Sequence, residues 1–148
     1  MNPDNDVRES TVRSGSTGQT LLRIGQVAEI VGLSLRTVRF YEEEGLVVPV
    51  GRTDGGFRLY NDDCIQRFRL IMQMKPLGFT VEEMRSLIET RAALAGEVLD
   101  DATRVDLVER RRMFSALADA KVHSLQEQLS VAERFSSQLA NEVEAPGE

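Results

Sequence analysis

The residues with the most chemistry to offer lie in one short run, Arg36-Thr37-Val38-Arg39-Phe40-Tyr41, followed at once by Glu42, Glu43 and Glu44. An arginine fork donates in a plane that matches phosphate oxygens and the acceptor edge of guanine. An aromatic ring beside it adds a stacking surface. That combination suits a polyanion such as a nucleic acid. The glutamates would repel the same ligand, and the whole chain carries a formal charge of −6. Covalent and metal chemistry are poorly provided for. There is one cysteine, Cys64, and one histidine, His123, which excludes a disulfide framework and a thiolate- or imidazole-rich metal site within one chain. No nucleophile–base pair, paired-carboxylate arrangement or phosphate-cradling glycine loop is present, so neither an enzyme nor a cofactor is expected. Cys64 reads as a small buried hydrophobe, and Glu82-Glu83 as helix-capping acids.

The acidity is uneven. From Arg23 to Lys75 there are eight Lys/Arg against seven Asp/Glu, whereas from Phe79 to Glu148 there are eight against fourteen. A near-neutral N-terminal half can carry a basic face, because binding follows local potential rather than total charge. The length of 148 residues fits one domain, or a small domain with an extension. Residues 1–21, rich in Ser, Thr, Asn, Asp and Gly, read as a disordered tail without the apolar stretch of a secretory signal. No run is apolar enough to span a bilayer, so no membrane partner is expected, and the single cysteine fits a cytoplasmic setting.

The arginines need an element to carry them. Ile24, Val27, Ala28 and Val31 follow the spacing of an amphipathic helix that stops at Gly32. Ser34 then caps a second helix running to about Glu44. Two short helices joined by a tight glycine-containing turn make a helix-turn-helix. On a 100° wheel Arg36, Arg39, Phe40 and Glu43 share one side of the second helix, with Leu35 and Val38 turned away. Glu43 is read as orienting an arginine. The Val-rich stretch Leu46 to Val50, a Thr-Asp-Gly-Gly turn and Phe57-Arg58-Leu59-Tyr60 read as a β-hairpin, with Phe57 and Leu59 on one face and Arg58 and Tyr60 on the other. Asn61 or Asp62 caps a third helix whose apolar stripe is Ile65, Phe68, Ile71 and Met72. A fourth begins with a Thr80–Glu83 capping box and a Phe79–Met84 staple, and carries Met84, Leu87 and Ile88 on one side.

After Asp100-Asp101 nothing breaks the helix until Pro146. One heptad seam position holds Val108, Ser115, Val122, Leu129, Ser136 and Val143, the other Arg111, Ala118, Leu125, Ala132 and Leu139. A helix of some forty residues is about 60 Å long. So long a helix cannot fold back onto a small domain along its whole length and needs a partner helix, most simply from a second copy. The expected interface is Val108, Val122, Leu125, Leu129, Ala132 and Leu139.

The motifs "IGQVAEIVGLS", "TVRFYEEEGL", "GGFRLY" and "LGFTVEEM", in this order and spacing, resemble the mercury-resistance regulator (MerR) family. The resemblance is close from Leu22 to Glu89 and covers the long helix in architecture only. It implies an all-α fold with a small β-hairpin wing. A winged helix-turn-helix DNA-binding domain over 22–95 would be followed by a dimerisation coiled-coil helix over 96–143 and a C-terminal tail over 144–148. It further implies a homodimer on double-stranded promoter DNA, meeting RNA polymerase there. Such regulators bend and untwist an over-long promoter spacer, and deforming DNA costs on the order of 1–10 kcal/mol. Carried over by position, Arg39, Phe40 and Tyr41 match the family's Arg-Tyr-Tyr run that touches DNA. Arg58 matches the wing arginine that reaches the backbone, with Tyr60 beside it. Ser34, Arg36, Thr37 and Arg52 complete the expected DNA-facing set. Phe40 and Phe57 stand where the family usually has tyrosine, which keeps the packing and loses a hydroxyl.

Within that family, thiol-metal sensors carry cysteines near the dimer helix and multidrug sensors a large C-terminal domain. This sequence has no such cysteine and only a few residues after the long helix, so neither mode is expected. The competing reading is a coiled-coil interaction protein whose helix-turn-helix is vestigial.

Overall fold

A left-handed glycine sets the first corner of the chain. α1 (Ile24–Val31) buries Val27, Ala28 and Val31, and the Arg23 backbone N–H donates to the Gln26 side chain at 2.9 Å to close its first turn. Gly32 follows with φ +69°, a conformation that glycine adopts without steric penalty. The Leu33 N–H returns to the Ala28 carbonyl at 3.0 Å. Ser34 then caps α2 (Leu35–Glu43), its hydroxyl accepting the Thr37 N–H at 3.1 Å. The expected helix-turn-helix is therefore present, with Val38 and Tyr41 as the buried face of α2. Leu35, at the first helical position, stays exposed. The computed structural model describes residues 12–13, 20–96, 98–145 and 147.

Beyond α2, Leu46 and Val47 enter the core and the wing follows. Its strands are β3 and β4; in chain order these come after β1 (Val12–Arg13) and β2 (Thr20–Leu21), which pair antiparallel with Val12 opposite Leu21. The remainder of the expected disordered tail lies outside the described residues. β3 (Gly51–Arg52) pairs with β4 (Arg58–Leu59), Gly51 opposite Leu59 and Arg52 opposite Arg58. The first strand is shorter than the Val-rich run suggests, because Pro49 has no N–H to give and Leu46 and Val47 are committed to the core. Gly56, at φ +83°, turns the tip, and the Thr53 N–H closes it on the Phe57 carbonyl at 2.8 Å. Tyr60 then leaves the hairpin to pair with Leu22 through two backbone bonds of 2.8 Å. The expected alternation ends there: Leu59 and Tyr60 are both buried while Phe57 is exposed.

α3 (Asp62–Met74) is capped by Asn61, whose side chain accepts the Cys64 N–H at 3.1 Å. It buries Cys64, Ile65, Phe68, Ile71 and Met74. Met72, expected on the stripe, is exposed, and Met74 takes the place. α3 stays α-helical through Met74, with the Lys75 N–H still bonded to the Ile71 carbonyl, and a 3-10 turn at Lys75–Leu77 follows it. α4 (Val81–Ala95) starts as expected: the Thr80 hydroxyl accepts the Glu83 N–H at 3.1 Å, and the Glu83 carboxylate accepts the Thr80 N–H at 2.9 Å. Phe79 and Met84, the staple pair, are both buried.

α5 (Asp101–Glu144) has 44 residues, a rod of about 66 Å. Asp100 caps it, accepting from the Thr103 N–H at 2.9 Å and hydroxyl at 2.6 Å, and these bonds hold its carboxyl below the usual carboxylate value. The inner part belongs to the domain: Leu107 is buried, and Phe114, Leu117 and Ala118 pack on the core that α1 to α4 share. Lys121 closes that contact, its ammonium 4.6 Å from the centre of the Phe79 ring and 3.4 Å from the Gly78 carbonyl. From Val122 to Glu144 every residue is exposed. Pro146, the expected stop, lies outside the described residues. Among the described residues no helix is long and apolar enough to cross a membrane.

Phe68 is fully buried at the centre of this core. Phe68→Ala should lower the unfolding free energy by about 3–5 kcal/mol. Thr80→Ala, which removes one cap, should lower it by about 1 kcal/mol. Urea denaturation at one fixed protein concentration measures both; comparable losses would contradict the core placement of Phe68.

Candidate nucleic-acid interface

α2 presents two faces of different character. Val38 and Tyr41 anchor it in the core, and Arg36, Arg39, Phe40 and Glu43 are exposed on the other side. Ser34 and Thr37 sit at its exposed N-terminus with their hydroxyls 2.9 Å apart. The two adjacent aromatics divide the work: Phe40 stands outward at 44% exposure, and Tyr41 is packed beneath it at 3%, ring centres 5.2 Å apart, edge to face. Tyr41 was expected to touch DNA. Its side chain is instead a core residue, because the 100° step of the helix turns it to the face that Val38 shares.

The wing stands beside the last turn of α2, and a carboxylate joins them. The Glu42 Oε1 lies 2.9 Å from the Arg58 Nε, and its Oε2 accepts a hydrogen bond from the Tyr60 hydroxyl. Glu42 is thus nearly sequestered, with 10% of its side chain exposed, whereas Arg58 keeps 40% exposure. Tyr60 was also expected on the DNA-facing side. It is fully buried, its hydroxyl spent on Glu42 and its backbone on Leu22, so it supports the wing from within. Burial, reinforced by the hydrogen bond to the Glu42 carboxylate, pushes the Tyr60 hydroxyl far above the ordinary phenol value and keeps it a neutral donor.

Arg52 and Arg58 oppose each other across β3 and β4, and like charges facing across a ladder are destabilising. With Glu42, Pro49 and Gly51 they line a recess of about 270 Å³. The strand pair tolerates this because Glu42 balances one of the two cations and Arg52 is open to water. At the wing tip the Arg23 guanidinium stacks 4.7 Å from the centre of the Phe57 ring.

Four of the expected residues, Arg36, Arg39, Arg52 and Arg58, thus carry their charge on α2 and the adjoining wing. Sequence reasoning placed the arginine-orienting acid at Glu43. Among the described residues Glu43 makes no ion pair, and Glu42 does the orienting. No periodicity signals a contact sixteen residues away; only the wing's place against α2 reveals it. Glu44 has a different neighbour. The Arg85 guanidinium donates to the Glu44 carbonyl at 2.6 Å, pinning the end of α2 to α4.

Cys64 donates its thiol to the Val48 carbonyl at 3.4 Å and is buried, which pushes its pKa up. Among the described residues no His, Cys, Asp and Glu group could hold a metal ion.

A family profile described as MerR HTH family regulatory protein matches residues 22–90. The HTH-type transcriptional regulator YfmP of Bacillus subtilis (strain 168) is 35% identical over 105 residues, covering 70% of this chain and 75% of that protein. Nodulation protein NolA of Bradyrhizobium elkanii is 36% identical over 85 residues, 57% of this chain, which spans only 39% of NolA's length. Among solved structures, HiNmlR, described as a MerR family regulator lacking the sensor domain and bound to promoter DNA, superposes with a TM-score of 0.59. The match covers 83% of this chain and 87% of that one at 24% identity, a likeness of fold.

Tyr60 and Cys64 give the fold a signed pH dependence. Below about pH 8 both are protonated in folded and unfolded chains alike. As pH rises through the unfolded-state thiol and phenol values, about 8.5 and 10, the unfolded chain loses protons that the folded chain retains, so stability falls. Cys64→Ala should remove the loss that begins near pH 8.5, and Tyr60→Phe the loss that begins near pH 10. Urea titrations across alkaline pH test this; a decline identical in wild type and both variants would contradict the assignment.

Proposed function

Since the chain belongs to the MerR family of helix-turn-helix regulators and is a DNA-binding transcription regulator, we propose that it works as a homodimer on a pseudo-palindromic promoter operator and controls transcription by distorting that DNA. The observation that carries this reading is the pairing of an exposed, arginine-bearing face on α2 with a wing tied to its last turn through Arg58 and Glu42. A helix-turn-helix sets its second helix in the major groove, where arginine reads guanine edges, and dimers read two half-sites. In this reading α2 with Arg36, Arg39 and Phe40 enters the groove, Ser34 and Thr37 meet the backbone at its N-terminus, and Arg52 and Arg58 hold the flanking phosphates.

The second copy is called for by α5. Val122, Leu125, Leu129 and Leu139 are 42–58% exposed on a helix that nothing among the described residues covers, and Phe135 adds a ring at 59%. A row of that kind along one helix is the seam of a coiled coil. Ala132 lies in the same row; Val108 is already half buried against its own domain and contributes least. The MerR regulator HiNmlR is described as bound to promoter DNA, which supports the same use here. RNA polymerase at the promoter and a cytoplasmic setting complete the proposal, in which the chain acts by binding and not by catalysis. A coiled-coil interaction protein with an idle N-terminal domain is less well supported, since the arginine face and the wing are both intact.

Arg39→Ala and Arg58→Ala should each weaken binding to a duplex selected from random-sequence DNA by roughly tenfold or more, with unchanged helical circular dichroism. Each phosphate that is no longer held should flatten the dependence of log K on log salt by about 0.9. Leu125→Asp with Leu129→Asp should yield a monomer in sedimentation. Wild-type affinity in both arginine variants would refute the DNA surface, and a stable dimer of the aspartate variant would refute the seam.

A further inference from the structure

Glu42 raises a question of sign. It is an acidic residue at the edge of a surface that carries Arg36, Arg39, Arg52 and Arg58, and a carboxylate in such a place weakens attraction for phosphate. Its geometry points the other way. Both oxygens are used inward, Oε1 on the Arg58 Nε at 2.9 Å and Oε2 on the Tyr60 hydroxyl. Tyr60 is itself immobilised by full burial and by two 2.8 Å backbone bonds to Leu22. The carboxylate is therefore seated on a rigid point of the domain and grips a residue of the two-residue strand β4. Gripping the guanidinium by its inner nitrogen leaves the outer nitrogens for another acceptor, and Arg58 remains 40% exposed. Arg52, directly across the ladder, brings a second cation to the same recess of about 270 Å³.

We propose that Glu42 is a positioning residue for DNA binding: it holds the Arg58 fork so that its outer nitrogens, with Arg52, clasp one backbone phosphate at the recess between α2 and the wing. This rests on the DNA-binding reading of the wing given above. The entropy of fixing a long arginine side chain is met in the folded protein rather than on binding, which is how pre-organisation raises affinity. A phosphate arriving at the recess also relieves the Arg52–Arg58 opposition that the free wing carries.

The sign of one substitution separates this role from simple electrostatics. Glu42→Gln removes a negative charge beside two arginines, so charge alone makes DNA binding tighter. Loss of the grip makes it weaker. The experiment uses the full chain and the same selected duplex, with affinity measured over a potassium chloride series for wild type, Glu42→Gln, Arg58→Ala and the double variant. The expected result is roughly tenfold weaker binding for Glu42→Gln, the scale of one charge-assisted hydrogen bond. The salt dependence should flatten by about 0.9 for each phosphate the wing lets go. In the Arg58→Ala background the same change should have little further effect, because the two act as one unit. Equal or tighter binding by Glu42→Gln, while Arg58→Ala is weakened, overturns the positioning role and leaves the DNA surface standing. A loss that recurs in full in the Arg58→Ala background shows general damage to the fold and also overturns it. Wild-type binding by Arg58→Ala removes the wing from the DNA surface altogether, and this role with it.

Discussion

A hairpin with two residues in each strand has no stability of its own, and here such a hairpin must stand at a fixed place beside a helix. The fold meets that constraint at the root of the wing. Leu59 and Tyr60 go into the core, Leu22 pairs with Tyr60 from outside the hairpin, and Glu42 joins the wing to the end of α2. Everything at the candidate interface follows from that root. It sets the wing arginines next to α2, and it turns the nearest acidic residue from a free charge into a bonded one. The end of α2 is also held by Arg85 of α4. A helix of nine residues is short for independent stability, and it is fixed at its cap, its buried face and its last turn.

The same economy appears in α5. One continuous helix serves as a wall of the domain over its inner part and as an unaccompanied rod over its outer part. The acidity of the chain lies mainly in this half, away from the arginine face, so the two regions differ in potential as well as in shape. Between α4 and the inner part of α5 runs an open groove of about 830 Å³ lined by Met113, Phe114 and Leu117 together with Glu83 and Asp106.

The helices were legible in the sequence because their signals are local. Ser34, Asn61, Thr80 with Glu83, and Asp100 each cap where their side chains can reach a backbone N–H two or three residues on, and the structure uses all four. The arginine face of α2 followed from its periodicity. What failed depended on neighbours distant in the chain. Tyr41 and Tyr60 look alike beside arginines, yet both turn inward, since the apolar surface that receives them comes from other elements. Glu42 and Glu43 are indistinguishable by type, and their roles are decided by where the wing docks. Met72 and Met74 flank the buried stripe of α3 on opposite sides, and the elements packed against the helix bury Met74 and leave Met72 out.

Lys121 marks the point where α5 ceases to belong to its own domain. From Val122 to Glu144 the helix extends about 35 Å with none of the described residues packed beside it. Its last contacts with the domain are at the Gly78–Phe79 corner, and that corner sets the angle at which it leaves. Over that length a difference of about 5° in the angle corresponds to about 3 Å at the far end, close to the rise of one base pair. The length of the rod thus ties the angle set at one buried ring to distances on the scale of DNA.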